Sequence, residues 1–303
     1  MNDLYILPSG WTETVFQHEN TGHKIRYVKI AASAPKANLF ILPGLSEFAE
    51  KYAETAAFFS ENGYNIIIID WAYQGLSSRL AENRDKRHSD GYNADLADLD
   101  RLIHIHENGF PNFILAHSMG GHIALRFLAQ NKRIIQAASL SAPLLQIQAI
   151  KKHTTPLLHL LEGMRLFDKD YIWGGRNWHQ DSRKGDGTDI FSSDPKRDSL
   201  HIGWQVRNPK LQVGNPTFKW LFETVKSGKI LKAWLHDIET PLLIFKAGRE
   251  KLVSNKAIDE AATKLPECKL IDLPTAKHEI LMETNDIRDE VLKKTINFFN
   301  CHF

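Results

Sequence analysis

Apolar positions along this chain fall into short continuous runs separated by longer stretches of three-to-four spacing. Asn38-Leu39-Phe40-Ile41-Leu42, Asn65-Ile66-Ile67-Ile68-Ile69, Phe113-Ile114-Leu115 and Ile134-Ile135-Gln136-Ala137-Ala138-Ser139-Leu140-Ser141 are too short for helices. They also lack the strict alternation of a half-exposed strand, so they predict strands covered on both faces. Between them, Glu50 to Phe59 (ended by Gly63), Tyr92 to His106 and His122 to Leu128 place apolar residues at helical spacing. Pro241 to Lys246 and Lys269 to Leu273 read as two further strands. Alternation of this kind predicts an α/β protein with a mostly parallel, doubly wound sheet. It stops between about Gln146 and Glu239, where short helical patches, polar loops such as Arg183 to Thr188 and five of the seven tryptophans stand instead. The expected organisation is a core of residues 1–146 and 240–303 with an insertion, 147–239, set over the strand ends as a cap.

Composition narrows the picture only slightly. A chain of 303 residues, 43% hydrophobic and with a net charge of +2, is a folded globular protein that does not demand nucleic acid. No run of eighteen apolar residues implies a membrane span, and Met1 to Tyr5 carries no secretory pattern. Cys268 and Cys301 stand far apart without metal-binding spacing, so neither a metal site nor a disulfide is expected, and a reducing cytoplasm is the simplest location. A mild excess of Lys and Arg in the insertion suits peripheral contact with an anionic lipid surface, and surface scatter accounts for it equally well. Oligomeric state is not legible.

Chemistry concentrates at Ala116-His117-Ser118-Met119-Gly120-Gly121. A strand runs into this segment and a helix leaves it, the setting of a serine nucleophile on a sharp strand-to-helix turn. Gly120 supplies the small residue such a turn needs two positions on; Ala116 stands where glycine is commoner two positions before. A serine nucleophile also needs a base, an acid that orients the base, and donors for the oxyanion. In the order of an α/β-hydrolase these follow as acid and then histidine, each just past a strand. Glu250 follows the strand that begins at Pro241, and His278 lies on the loop after Lys269 to Leu273. Asp272, inside that strand, is expected to point away, and Ser141 to Ile150 contains no acid. The expected oxyanion donors are the backbone N–H groups of Met119 and of Leu45, on the turn Pro43-Gly44-Leu45. No cofactor is called for by this chemistry.

Longer stretches resemble a particular family. Glu47 to Tyr52, Asp70-Trp71 with Gln74 to Arg79, Ser118 in its turn and His278 to Leu281 resemble the monoacylglycerol lipases and bacterial lysophospholipases, capped serine hydrolases of the α/β-hydrolase superfamily. Phe191 to Arg197 and Pro209 to Leu221 resemble the insertion of the L2-type lysophospholipases. The resemblance implies an α/β-hydrolase fold with a helical cap and hydrolysis of lipid esters, a lysophospholipid or a monoacylglycerol. Two departures stand out: Ala72-Tyr73 replaces the family's Arg-Gly after Asp70-Trp71, and Glu250 stands where related lipases usually carry Asp.

Other residues are expected to do less. His117 is expected to pack, His104 and His106 to be exposed, and Lys151-Lys152 and Arg183-Lys184 to be solvated; His88 is a weaker candidate for touching the site. Leu157, Leu160, Leu161, Met164, Phe167, Trp173 and Trp178 are candidate walls for an acyl chain. Arg176, Arg183 and Arg197 are candidate phosphate contacts. A peptidase or acyltransferase using the same three residues stays open, as does a silent fold used for binding. Epoxide hydrolases and dehalogenases use an aspartate nucleophile, against which Ser118 argues.

Overall fold

A computed structural model describes residues 4–130, 135–150 and 167–303. Among these, eight strands form one sheet in the order β1-β2-β4-β3-β5-β6-β7-β8. The strands are β1 (Thr12–Gln17), β2 (Lys24–Ile30), β3 (Ala37–Leu42), β4 (Tyr64–Ile69), β5 (Asn112–His117), β6 (Ile135–Ser141), β7 (Leu242–Ala247) and β8 (Cys268–Leu273). From β4 to β8 all pairings are parallel, while β1 and β2 form an antiparallel hairpin that joins β4 antiparallel. Every residue of β3 and β5 is buried, as their unbroken apolar runs require of strands covered on both faces. The β1–β2 hairpin was not read from the sequence. At the sheet's edge its outer strand leaves Val15 about half exposed and mixes polar with apolar positions, so neither pattern stands out.

Helices cover both faces. On one, α1 (Ala53–Glu61) and the C-terminal helix α7 (Asn285–Asn300) meet through Phe59 and Phe299, which also contacts Tyr64 and Phe113. On the other, α2 (Tyr92–Ile105) packs on α3 (Met119–Leu128). Between β6 and β7 the described chain is helical and looped, with no strand. Its "short helical patches" are in fact two full helices, α4 (Pro195–Arg207) and α5 (Phe218–Trp234). Asp194 caps α4 through the Lys196 and Arg197 amides, and Thr217 caps α5 through the Trp220 amide. Their mixed polar and apolar faces obscure the helical period, because α5 packs against α2 and α3 on one side and borders a cavity on the other. Helix α6 (Asn255–Ala262) joins β7 to β8.

Candidate active site

The carboxyl ends of β3, β5, β7 and β8 gather the candidate residues, as parallel sheets of this kind do. Ser118 sits between β5 and α3 at φ 49° and ψ −112°, a backbone conformation few non-glycine residues adopt. Its N–H donates to the Ser141 carbonyl at 3.0 Å, and its carbonyl accepts from Leu144 at 2.9 Å, so the surroundings hold the turn in place. Gly120 is required: a Cβ there would run into the Leu42 and Pro43 carbonyls, because β3 ends against the start of α3. A Cβ on Gly121 would crowd Pro143.

His278 and Glu250 converge on this serine. Nε2 of His278 lies 3.0 Å from Oγ of Ser118, and Nδ1 lies 2.7 Å from Oε2 of Glu250. The other oxygen of Glu250 accepts the N–H groups of Lys251, Leu252 and Val253 at 2.8, 2.7 and 3.3 Å. One oxygen is thus anchored to the backbone and the other left for the imidazole. Burial pushes the Glu250 carboxyl upward in pKa; the hydrogen bond and charge of His278, with the backbone donors, outweigh it and hold the group below its ordinary value. The amides of its own loop fix the reach of this glutamate, a detail that sequence spacing could not resolve.

The two candidate oxyanion donors are free for a ligand. Among the described residues, neither the Leu45 nor the Met119 N–H has an acceptor. The loop carrying Leu45 is clamped by Gln74. Its Nε2 donates to the carbonyls of Gly44 and Glu47, both at 2.8 Å, and its Oε1 accepts the Ser46 N–H at 3.1 Å and Arg87 Nε at 2.7 Å. Ser46 itself is left-handed, at φ 62°. Trp71 adds a hydrogen bond from Nε1 to the Pro43 carbonyl at 2.9 Å. Ser118, His278 and Leu45 border a cavity of about 450 Å³, within the range of small-molecule sites. Apolar side chains dominate its walls: Leu144, Ile147, Ile150, Ile172, Trp173, Trp220, Leu221, Leu252 and Val253.

With this geometry stand the comparisons with known proteins. A family profile described as serine aminopeptidase, S33 matches residues 33–285. The chain belongs to this α/β-hydrolase family. The chain is similar to lysophospholipase L2 of Escherichia coli, 28% identical over 290 residues, which cover 92% of this chain and 84% of that protein. Among solved structures, a thermostable carboxyl esterase from Bacillus coagulans superposes with a TM-score of 0.77 at 19% identity, covering 97% of this chain and 99% of that one. A soluble variant of monoglyceride lipase from Saccharomyces cerevisiae superposes at 0.74 and 17% identity, covering 99% of each. The chain is a serine hydrolase with the α/β-hydrolase fold.

Beneath the active-site cleft of this α/β-hydrolase lies a buried ionic network that sequence reading missed. Lys51 Nζ lies 2.7 Å from Glu47 Oε1 and 2.6 Å from Glu279 Oε1, and Arg183 reaches the same Glu279 oxygen at 2.6 Å. Glu47 Oε2 accepts the Gly44 N–H at 2.5 Å and the Tyr52 hydroxyl at 2.6 Å. Burial pushes both carboxyls up, and the facing cations bring them below the ordinary range, Glu279 well below. Arg183 is therefore not solvated as expected; it stacks on Phe191 at 3.5 Å and ties the insertion to the residue beside His278. Glu47 and Lys51, spaced i to i+4, were the visible signal.

The remaining expectations divide. His117 is buried and held near pKa 4 by burial, its Nδ1 3.1 Å from the Ser141 carbonyl, which is packing rather than proton transfer. His88 does not border the cavity; it bonds Thr217 at 3.0 Å and meets Tyr73 edge-on. His104 is exposed, but His106 is half-buried against Tyr27 and Phe40. Asp272 points outward and pairs with Lys246. Trp173 and Trp178 line the cavity, whereas Phe167 packs on Phe218 away from it. Leu157, Leu160, Leu161, Met164 and Lys151-Lys152 lie outside the described residues. Arg176 borders the cavity with Arg183, while Arg197 is engaged elsewhere with Glu54 and Asp194. Asp70, just ahead of the departure at Ala72-Tyr73, pairs with Arg26 of β2 at 2.8 Å, and Arg26 also pairs with Glu50 at 2.7 Å.

Proposed function

We propose that this chain hydrolyses carboxylic esters of lipids, releasing the fatty acid from a lysophospholipid, with monoacylglycerol as the alternative substrate. The observation that carries the reading is the hydrogen-bonded chain Ser118–His278–Glu250 beside a cavity walled largely by apolar side chains. In this reading His278 Nε2 takes the proton as Ser118 Oγ attacks the ester carbonyl, and Glu250 holds the tautomer and the charged imidazole. The Leu45 and Met119 N–H groups receive the oxyanion. The alkoxide then departs with the proton from His278, and water, deprotonated by the same base, attacks the acyl-enzyme and frees the acid. Residues 147–239 act as the cap, supplying the walls from Ile147 to Leu221 and excluding water.

Other features support ester over amide chemistry. An aminopeptidase must neutralise a free ammonium, and the two carboxylates bordering the cavity, Glu47 and Glu279, already face Lys51 and Arg183. Trp173, at 67% exposure, sits at the cavity's edge and offers an apolar contact for a lipid surface. Among the described residues no helix is long and apolar enough to cross a membrane. The free thiols Cys268 and Cys301 suit a reducing cytoplasm.

The test is hydrolysis by wild type and Ser118→Ala, read as fatty acid from monoacylglycerol and lysophosphatidylcholine, p-nitrophenol from p-nitrophenyl esters of rising chain length, and p-nitroaniline from an aminoacyl p-nitroanilide. Release from the lysophospholipid, reduced by several orders of magnitude in the variant, is expected. Cleavage of the anilide alone would replace this reading with a peptidase.

A further inference from the structure

Charge along the cavity walls is unevenly compensated. Among the described residues, Arg176 and Arg183 are the cations that border the cavity, and Glu47 and Glu279 are its carboxylates. Arg183 is held by Glu279 and the Phe191 ring, and Lys51 serves both carboxylates. Lys51 and Arg183 thus balance Glu47 and Glu279. Arg197, away from the cavity, has its guanidinium filled by Glu54, Asp194, Asn285 and the Glu283 carbonyl. Arg176 differs from both. It is exposed, and its guanidinium has no hydrogen bond, ion pair or ring contact among the described residues.

The backbone beneath this free guanidinium is fixed. The Arg176 N–H donates to Asn215 Oδ1 at 3.0 Å, and its carbonyl accepts the Asn215 N–H at 3.1 Å. On either side, the Ile172 N–H donates to the Pro216 carbonyl at 3.1 Å and the Trp178 N–H to Asp85 Oδ2 at 3.0 Å. Gly214 lets the two segments touch, because a Cβ there would strike the Arg176 carbonyl and the Trp178 nitrogen. The cation is therefore anchored at its Cα, and binding has only the side chain left to order.

The lining offers different surroundings to the two ends of a lipid ester. Leu144, Ile147, Ile150, Leu252 and Val253, from the loops after β6 and β7, carry no charge and suit an acyl chain. Arg176, Asn177 and Asn215, from the insertion, bring polar groups together and are left for the alcohol. In a lysophospholipid that alcohol carries a phosphodiester, whereas in a monoacylglycerol it carries no charge. A guanidinium presents a fork of donors that matches two phosphate oxygens.

We infer that Arg176 is a specificity-determining residue that binds the head-group phosphate and makes a lysophospholipid the preferred substrate over a monoacylglycerol. This rests on the lipid-ester reading and decides between its two substrates.

The test compares 1-acyl lysophosphatidylcholine with the 1-monoacylglycerol of the same acid, each at the same mole fraction in neutral-detergent micelles. A p-nitrophenyl ester of that acid monitors the ester chemistry by itself. Wild type is expected to show the lower KM for the lysophospholipid, by a margin that shrinks as salt is raised. Arg176→Met keeps the apolar stem and both main-chain hydrogen bonds. Its KM for lysophosphatidylcholine should rise about tenfold with kcat little changed, and its KM for monoacylglycerol far less. Arg176→Lys, which keeps the charge without the fork, should fall between the two and carries the test if the methionine variant does not fold. A wild-type preference that survives in the folded variants overturns the assignment. An equal rise in KM for both lipids makes Arg176 a contact to the micelle surface or a shaper of the cavity and overturns it too. Wild-type turnover of monoacylglycerol but not of lysophosphatidylcholine overturns the assignment and leaves the lipid-ester reading intact. Turnover of neither lipid, with the p-nitrophenyl ester still cleaved, overturns both.

Discussion

Glu250 illustrates how much a single residue's surroundings decide. Three backbone amides fix one of its oxygens, leaving the other 2.7 Å from His278. Glu250→Gln keeps the size but presents an amide that stabilises neither the tautomer nor the imidazolium. We expect kcat to fall by about three to four orders of magnitude with KM little changed, read on a p-nitrophenyl ester. Glu250→Asp keeps the charge but shortens the reach by one methylene, so its loss is smaller than that of the amide. A ranking with Gln above Asp would remove Glu250 from the orienting role. Gly120 poses the complementary case, since its requirement is purely steric. Gly120→Ala drives a methyl into the Leu42 carbonyl, and a fall in thermal midpoint of several degrees is expected in a melting curve.

At the scale of elements, the oxyanion loop after β3 owes its shape to the turn after β4. Gln74 holds the Gly44 and Glu47 carbonyls and the Ser46 amide together, and Arg87 holds Gln74. Gln74→Leu fills the same space without the hydrogen bonds, so the Leu45 N–H loses its fixed position. Because that donor acts on charge that develops only in the transition state, kcat should drop by about one to two orders of magnitude while KM changes little. A proportional rise in KM with unchanged kcat would mean that the clamp shapes substrate binding instead. The insertion is coupled to the His278 loop in similar fashion. Lys277 Nζ donates to the carbonyls of Gly187, Asp189 and Ser192 at 2.8, 2.5 and 2.9 Å, tying the two loops together.

For the whole molecule, pH acts on stability through carboxyls buried far from the cleft. Asp98 on α2 is 2% exposed, one of its oxygens has no partner among the described residues, and burial, with Asp95 and Asp90 nearby, pushes its pKa to about 8. The folded protein therefore keeps a proton that the unfolded chain releases near its ordinary value of 3.8. Between those values the folded state binds more protons, so this group makes stability fall as pH rises and levels off above about 8. Asp98→Asn removes that slope. Its thermal midpoint should gain on wild type progressively from pH 5 to pH 8.5; a constant difference would show that Asp98 does not titrate in this range.

What the chain determined by itself was local. The apolar runs of β3, β4 and β5 are short, unbroken and buried, so spacing alone marked them as central strands. Ser118 and Glu250 each follow a buried apolar strand and His278 follows β8, a shorter pattern interrupted by Lys269 and Asp272, so their order and their place past strand ends were readable before any contact was known. The β1–β2 hairpin escaped because an edge strand is only partly covered and has no strong period. The contacts that shape the site join residues far apart in the chain: Ser118 with His278, Gln74 with Gly44, Arg183 with Glu279, and Arg26 with Asp70. No periodicity records such pairs, because each depends on where the sheet and the insertion bring two side chains. Tertiary structure alone therefore decided which charges became buried and paired, and turned Arg183 from a surface cation into part of the site.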